Sequence, residues 1–127
     1  MVLPLLRSDL LTVMQATTNG TLAETPVEFA DENACCVIMA SKGYPQSYEK
    51  GFEITMTEEA EKATYVAGGA LKDGKLVTSG GRVTGTTAIA GSLEEAIKEA
   101  YRLSDGVKFE GAYRRSDIGQ RALQALK

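Results

Sequence analysis

Histidine is absent from this sequence, so the side chains able to do chemistry are mostly cationic. Arg82 follows directly on Gly80-Gly81 in the stretch LKDGKLVTSGGRVTGTT. Arg114 and Arg115 stand together in YRRSDIG, Arg121 lies about one helical turn beyond, and Lys42 sits in SKGYP. A guanidinium presents planar, paired N–H donors and suits phosphate or carboxylate through bidentate hydrogen bonds. Arg82 therefore reads either as an anion grip beside a glycine hinge or as an exposed charge at a tight bend. Arg114 and Arg121 also read as charges at helix ends, and Arg115 as one half of an ion pair with Asp117. These arginines make a site only if the fold converges them.

Other chemistries are poorly supplied. Without histidine there is no Ser-His-Asp or Cys-His nucleophile system within the chain. Cys35 and Cys36 are adjacent, and neighbouring side chains on a strand point to opposite faces, so they read as buried thiols rather than as a disulfide or metal pair. No glycine-rich phosphate loop has a strand before it and a helix after it. Glu58, Glu59 and Glu61 read as a solvated helix face. The net charge of −3 counts against a general affinity for nucleic acid, and no apolar run is long enough to span a membrane. MVLPLLRSDLL lacks a basic start and is broken by Arg7 and Asp9, unlike a signal peptide, so a cytoplasmic location is expected. The apolar Val2 to Leu6 suggests packing against something further, with natural chain upstream.

The elements that must position these groups are legible in outline. Asp73-Gly74 predicts a type I′ hairpin turn, with a strand over Lys75 to Thr78. Gly80-Gly81 then marks a bulge, a bend or a close approach, and the β pattern resumes over Val83 to Ile89. Upstream, Ser8 is the expected cap of a helix from Asp9 to about Thr18, stopped at Asn19-Gly20. ACCVIMA, residues 34–40, reads as a strand covered on both faces. Shorter strands are expected at Val27 to Phe29, Phe52 to Thr57 and Thr64 to Ala67, with a helical turn at Glu58 to Lys62. Tyr44 and Tyr48, in the loop Ser41 to Gly51, are placed to stack or hydrogen bond. Ser92 and Glu95 form a capping box ahead of an amphipathic helix ending near Asp105-Gly106. A last strand is expected over Val107 to Ala112 and a closing helix over Ile118 to Leu126. The sum is an α+β domain: a small mixed or antiparallel sheet with flanking helices.

The succession ACCVIMASKGYPQSYEKG, LKDGKLVTSGGRVTGTTA, SLEEAIKEAY and KFEGAYRRSDIG resembles the C-terminal domain of phosphoribosylamine–glycine ligases, also called glycinamide ribonucleotide synthetases. The resemblance covers about residues 2 to 123. It implies a fold like the C-terminal part of ATP-grasp, biotin carboxylase-like enzymes. Residues 1–20 then correspond to the helix at the end of the ATP-grasp core, and 21–127 to the closing domain. The implied reaction joins glycine to 5-phosphoribosylamine at the expense of ATP, in purine biosynthesis. The resemblance puts ATP and Mg²⁺ (or Mn²⁺) in the upstream core, with neither bound by this chain, which alone is expected to be inactive.

By the same resemblance Arg82 occupies the arginine of G-G-R-V, Arg115 the first basic position of R-[KR]-D-I-G, and Asp117 its acid. Arg82 and Arg115 are thereby implied to contact the ribose phosphate or closing-domain carboxylates, and Asp117 to orient Arg115. The sequence departs from the family pattern at Ser116 (usually basic), Val66 (usually histidine), Gly69 (usually threonine), Gln46 (usually glycine) and Thr84 (usually apolar). The implied partners are the ATP-grasp core, glycine and 5-phosphoribosylamine, with no nucleic acid and no membrane. The alternatives are an independent module of the same fold that binds another anion or a nucleotide phosphate, and a structural or oligomerising domain.

Overall fold

The computed structural model describes residues 1–126. In chain order the elements are α1 (Leu10–Asn19), β1 (Asn33–Ser41), β2 (Thr55–Met56), α2 (Glu58–Ala63), β3 (Thr64–Val66), β4 (Gly69–Lys72), β5 (Lys75–Thr78), β6 (Arg82–Ala90), α3 (Leu93–Ser104), β7 (Val107–Lys108), β8 (Ala112–Tyr113) and α4 (Gln120–Ala125). The main sheet has four strands in the order β3-β6-β1-β8, all antiparallel. Two-stranded ribbons, β2-β7 and β4-β5, stand beside it. This is the α+β arrangement that the pattern of elements predicts.

Side chains alternate between the two faces of a strand, and the main sheet buries one face under α3. Ser92 caps α3: its Oγ accepts from the Glu95 N–H at 3.3 Å and donates to the Glu95 carboxylate at 2.9 Å. Ala96, Ile97, Ala100 and Leu103 of α3 then pack against Cys35, Val37 and Ala88. A second cluster joins Met39 and Val83 to Ile54, Ala60, Val107 and Phe109. Cys35 is buried within the first cluster while Cys36 points to the other face, as adjacent strand positions require.

Several expectations are corrected. The apolar run 34–40 predicts a strand covered on both faces, but only one is. Cys36 and Ile38 lie on the face turned away from α3, where Cys36 is only partly buried and Ile38 is 40% exposed. The first helix is capped by Asp9 rather than Ser8. Asp9 has the extended backbone, and its carboxylate accepts from Thr12 N and Thr12 Oγ1. Ser8 Oγ instead accepts from Glu28 N and donates to the Pro26 carbonyl, tying the amino-terminal arm to the segment after α1. The expected strand 107–112 is two short strands in different sheets, because Gly111 turns the chain through a left-handed conformation (φ 71°). The Asp73-Gly74 turn forms with positive φ at both residues, but its hairpin is a separate ribbon from the sheet that β6 enters. The closing helix begins at Gln120, slightly later than predicted.

Thr84, one of the departures from the family pattern, is fully buried on β6, and its hydroxyl has no hydrogen-bond partner. A buried hydroxyl left unpaired costs about 1–3 kcal/mol. Thr84→Val keeps the shape and removes that cost. It is expected to raise the unfolding free energy by about 1 kcal/mol, read as a higher urea midpoint at unchanged slope. A lower midpoint would contradict the absence of a partner.

Candidate functional site

Arg82 owes its position to a slip in strand pairing. Gly85 faces Ile38 and Thr84 faces Met39, but Ala40 faces Arg82, which leaves Val83 as an extra residue. This is a β-bulge, and one inserted residue exchanges the faces of everything beyond it. Val83 turns into the core, where it is fully buried. Arg82 thereby shares the open face with Ala40, Ile38 and Cys36, and all four line one groove. In unslipped pairing Arg82 would face the core.

The glycines ahead of it are fixed by close contacts. A Cβ at Gly81 would lie 2.0 Å from Cδ2 of the Tyr44 ring, and one at Gly68 would lie 2.4 Å from the Arg82 carbonyl oxygen. Ser41 fastens this corner: its N–H donates to the Gly81 carbonyl at 2.8 Å and its hydroxyl to the Gly80 carbonyl at 3.0 Å. The close approach that Gly80-Gly81 implies is thus made by the chain's own loop 42–48 and by Gly68.

β8 brings the second arginine pair to the same place. Tyr113 pairs with Ala40 from the opposite side, so Arg82, Ala40 and Tyr113 form a row across three strands. Two strand spacings separate the ends of that row by about 10 Å. The groove over it measures about 500 Å³ and is lined by Cys36, Ile38, Ala40 and Ile118 below, with Tyr44, Tyr113, Arg82 and Arg115 around them. Its floor is apolar and its rim cationic. Tyr44 meets Tyr48 edge-on, with ring centroids 6.0 Å apart.

The adjacent arginines part company. Arg114 is a structural pin at the end of α3: it donates to the Tyr101 carbonyl and the Ser104 hydroxyl and pairs with Asp105. Its guanidinium also lies 5.1 Å from the centroid of the Tyr101 ring. Arg115 is exposed and pairs bidentately with Asp117 through Nε (2.7 Å) and an Nη (2.6 Å), which leaves its other N–H groups available. Arg82 has no hydrogen-bond or ion-pair partner among the described residues. Arg121 does not line the groove. Lys42 lines a neighbouring cleft of about 610 Å³ with Tyr48, Glu49 and Glu110. The fold therefore brings Arg82, Arg114 and Arg115 to the groove, with Asp117 joined to it through Arg115, and leaves Lys42 and Arg121 outside.

The family model described as "Phosphoribosylglycinamide synthetase, C domain" matches residues 34–121. The chain belongs to this family. It is 51% identical over 92% of its length to a phosphoribosylamine–glycine ligase of Caldanaerobacter subterraneus, and 48% identical over 99% to the human trifunctional purine biosynthetic protein adenosine-3. It spans only 28% and 13% of those two proteins. The crystal structure of phosphoribosylamine–glycine ligase from Thermotoga maritima superposes with a TM-score of 0.69 at 42% identity, over 82% of this chain and 27% of that one.

Within this synthetase C domain, sequence reading missed the groove's apolar floor and Tyr113. The signal was present in the even-numbered residues of the run 34–40, which alternate with the buried ones. Among the described residues, no group of three or more His, Cys, Asp or Glu stands together as a metal site. The Arg115 guanidinium, chiefly through its hydrogen bonds, holds the Asp117 carboxyl below the usual aspartate range. The pair is therefore complete above the unpaired aspartate value of about 3.9 and is lost as the pH falls through the lower value in the folded protein. An NMR titration should find the Asp117 midpoint below about 3.9, and Arg115→Ala should return it toward that value. An unshifted midpoint in the parent chain would show that the ion pair does not form in solution.

Proposed function

We propose that this chain is the closing domain of a phosphoribosylamine–glycine ligase, an ATP-dependent carbon–nitrogen ligase of purine biosynthesis. The observation that carries the reading is the convergence of Arg82 and Arg115, distant in sequence, at one open groove. In the proposed reaction the glycine carboxylate attacks the terminal phosphorus of ATP, giving glycyl phosphate and ADP. The amine of 5-phosphoribosylamine then attacks the glycyl carbonyl, and phosphate leaves as the amide bond forms. Arg82, unpaired, and Arg115, held by Asp117, bind the ribose phosphate of the amine substrate. A fixed pair of guanidinium groups orients that substrate and neutralises its charge, which is the positioning that reactions of this kind require.

ATP and Mg²⁺ (or Mn²⁺) are assigned to the ATP-grasp core. The acidic residues described here do not fit a metal site, so no step through the ion is assigned to this domain. The core is also the proposed partner. Residues 1–20 belong with it and 21–127 form the closing domain proper. The amino-terminal arm supports this division: Val2, Leu3, Leu11 and Met14 are large apolar residues, each about 60% exposed, apolar surface that the core is proposed to cover. Among the described residues no helix is long and apolar enough to cross a membrane, and the proposed setting is the cytoplasm.

The chain alone is expected to show no ligase activity and to gain it when fused to, or mixed with, an ATP-grasp core. In the full-length ligase, Arg82→Ala removes a charge-assisted contact of about 1.5–3 kcal/mol. The KM for phosphoribosylamine should rise at least roughly tenfold, with the KM for ATP changing less than about twofold. An unchanged KM for phosphoribosylamine would remove the phosphate role from Arg82. Micromolar binding of nucleotide phosphates by the isolated chain would instead favour an independent anion-binding module.

A further inference from the structure

A single side-chain oxygen bonds both ends of the segment carrying Asp117. Tyr101 lies in the last turn of α3, with its ring on the sheet-facing side of the helix beside Ile97 and Ala100. Its hydroxyl donates to the Arg115 carbonyl at 2.7 Å and accepts from the Ile118 N–H at 3.0 Å. One oxygen thus holds both ends of residues 115–118, the stretch that contains the Arg115–Asp117 pair. The ring is kept in place separately, by packing and by the Arg114 guanidinium stacked on it. The pin at Arg114 and the pin at the hydroxyl both start from the same helical turn.

We propose that the Tyr101 hydroxyl is the positioning group of the anion clamp. It sets the path of residues 115–118, and hence where the Arg115–Asp117 pair stands relative to Arg82 across the groove. Tyr101 does not line the groove that holds Arg82, so it acts through Arg115 and not on the substrate. This assignment rests on the role given to Arg115 above. It adds a residue that neither the glycine hinge nor the R-[KR]-D-I-G pattern marks, since Tyr101 stands well before that pattern in sequence and meets it only through the fold.

Tyr101→Phe tests the idea cleanly, because it deletes the hydroxyl and leaves the ring under Arg114. In the full-length ligase carrying this domain, it is expected to raise the KM for phosphoribosylamine about five- to tenfold, the loss of about one hydrogen bond. The KM for ATP should stay within about twofold. In an Arg115→Ala background the same change should add almost nothing, because residues acting through one another are not additive. Equal effects on both substrates, no effect on either, or fully additive effects would overturn the proposal. If Arg115→Ala itself leaves the phosphoribosylamine KM unchanged, the reading of Arg115 fails and this proposal falls with it. If Arg115→Ala is impaired and Tyr101→Phe is not, the proposal alone fails. Hydrogen exchange gives a measure independent of activity and of the variant's yield. The Ile118 amide should be protected in the parent ligase, and exchange there at the rate of a free amide would overturn the proposal.

Discussion

Two strands that alternate side chains between a buried and an open face leave no freedom about where a given residue points. In the β1–β6 pair that constraint is broken once, at Val83. The extra residue takes Val83 into the cluster of Met39, Ile54 and Phe109 and sends Arg82 to the open face. Ser41 and the Tyr44 ring hold the corner just ahead of the bulge, so the slip is built in rather than a local fluctuation. Everything proposed for the groove depends on it, because a guanidinium turned inward there would meet the apolar cluster of Met39, Ile54 and Phe109 and no ligand.

The other half of the groove depends on α3. Its inward face closes the main core, and its last turn carries the contacts of Arg114 and the hydroxyl of Tyr101. Two neighbouring arginines consequently do different work. Arg114 is spent on the Tyr101 carbonyl, the Ser104 hydroxyl and the Asp105 carboxylate at the helix end. Arg115 is spent only in part, on Asp117. The apolar floor between Arg82 and Arg115 comes from the face of β1 turned away from α3, so the open sheet face and the cationic rim form a single surface.

Much of this was legible in the residues. Asp73-Gly74 and the Ser92 cap depend on local backbone chemistry, and both formed where local rules place them. Gly80-Gly81 signalled a bulge, a bend or a close approach by another chain or a ligand; the approaching groups are Tyr44 and Gly68 of the same chain, which the sequence did not name. What was not legible depends on tertiary register. Nothing local tells Val83 apart from any other strand valine, so the face given to Arg82 was open until the pairing was known. The same holds for Arg114 and Arg115, adjacent and identical in type, which are separated only by which of them reaches α3. The run 34–40 misled because a continuous apolar string looks doubly covered, whereas Cys36, Ile38 and Ala40 floor a groove. The choice between Ser8 and Asp9 as helix cap turned on one residue of backbone geometry, at the limit of what a sequence pattern specifies.

Arg82 and Arg115 are proposed to receive jointly the phosphate of the amine substrate, in an active site completed by another domain. The most direct measurement is a crystal structure of the full-length ligase with ribose 5-phosphate bound. The account requires phosphate oxygens at about 2.7–2.9 Å from guanidinium nitrogens of both Arg82 and Arg115, with Asp117 still holding Arg115. A phosphate seated away from both arginines, with the groove covered by another segment of the enzyme, would contradict it.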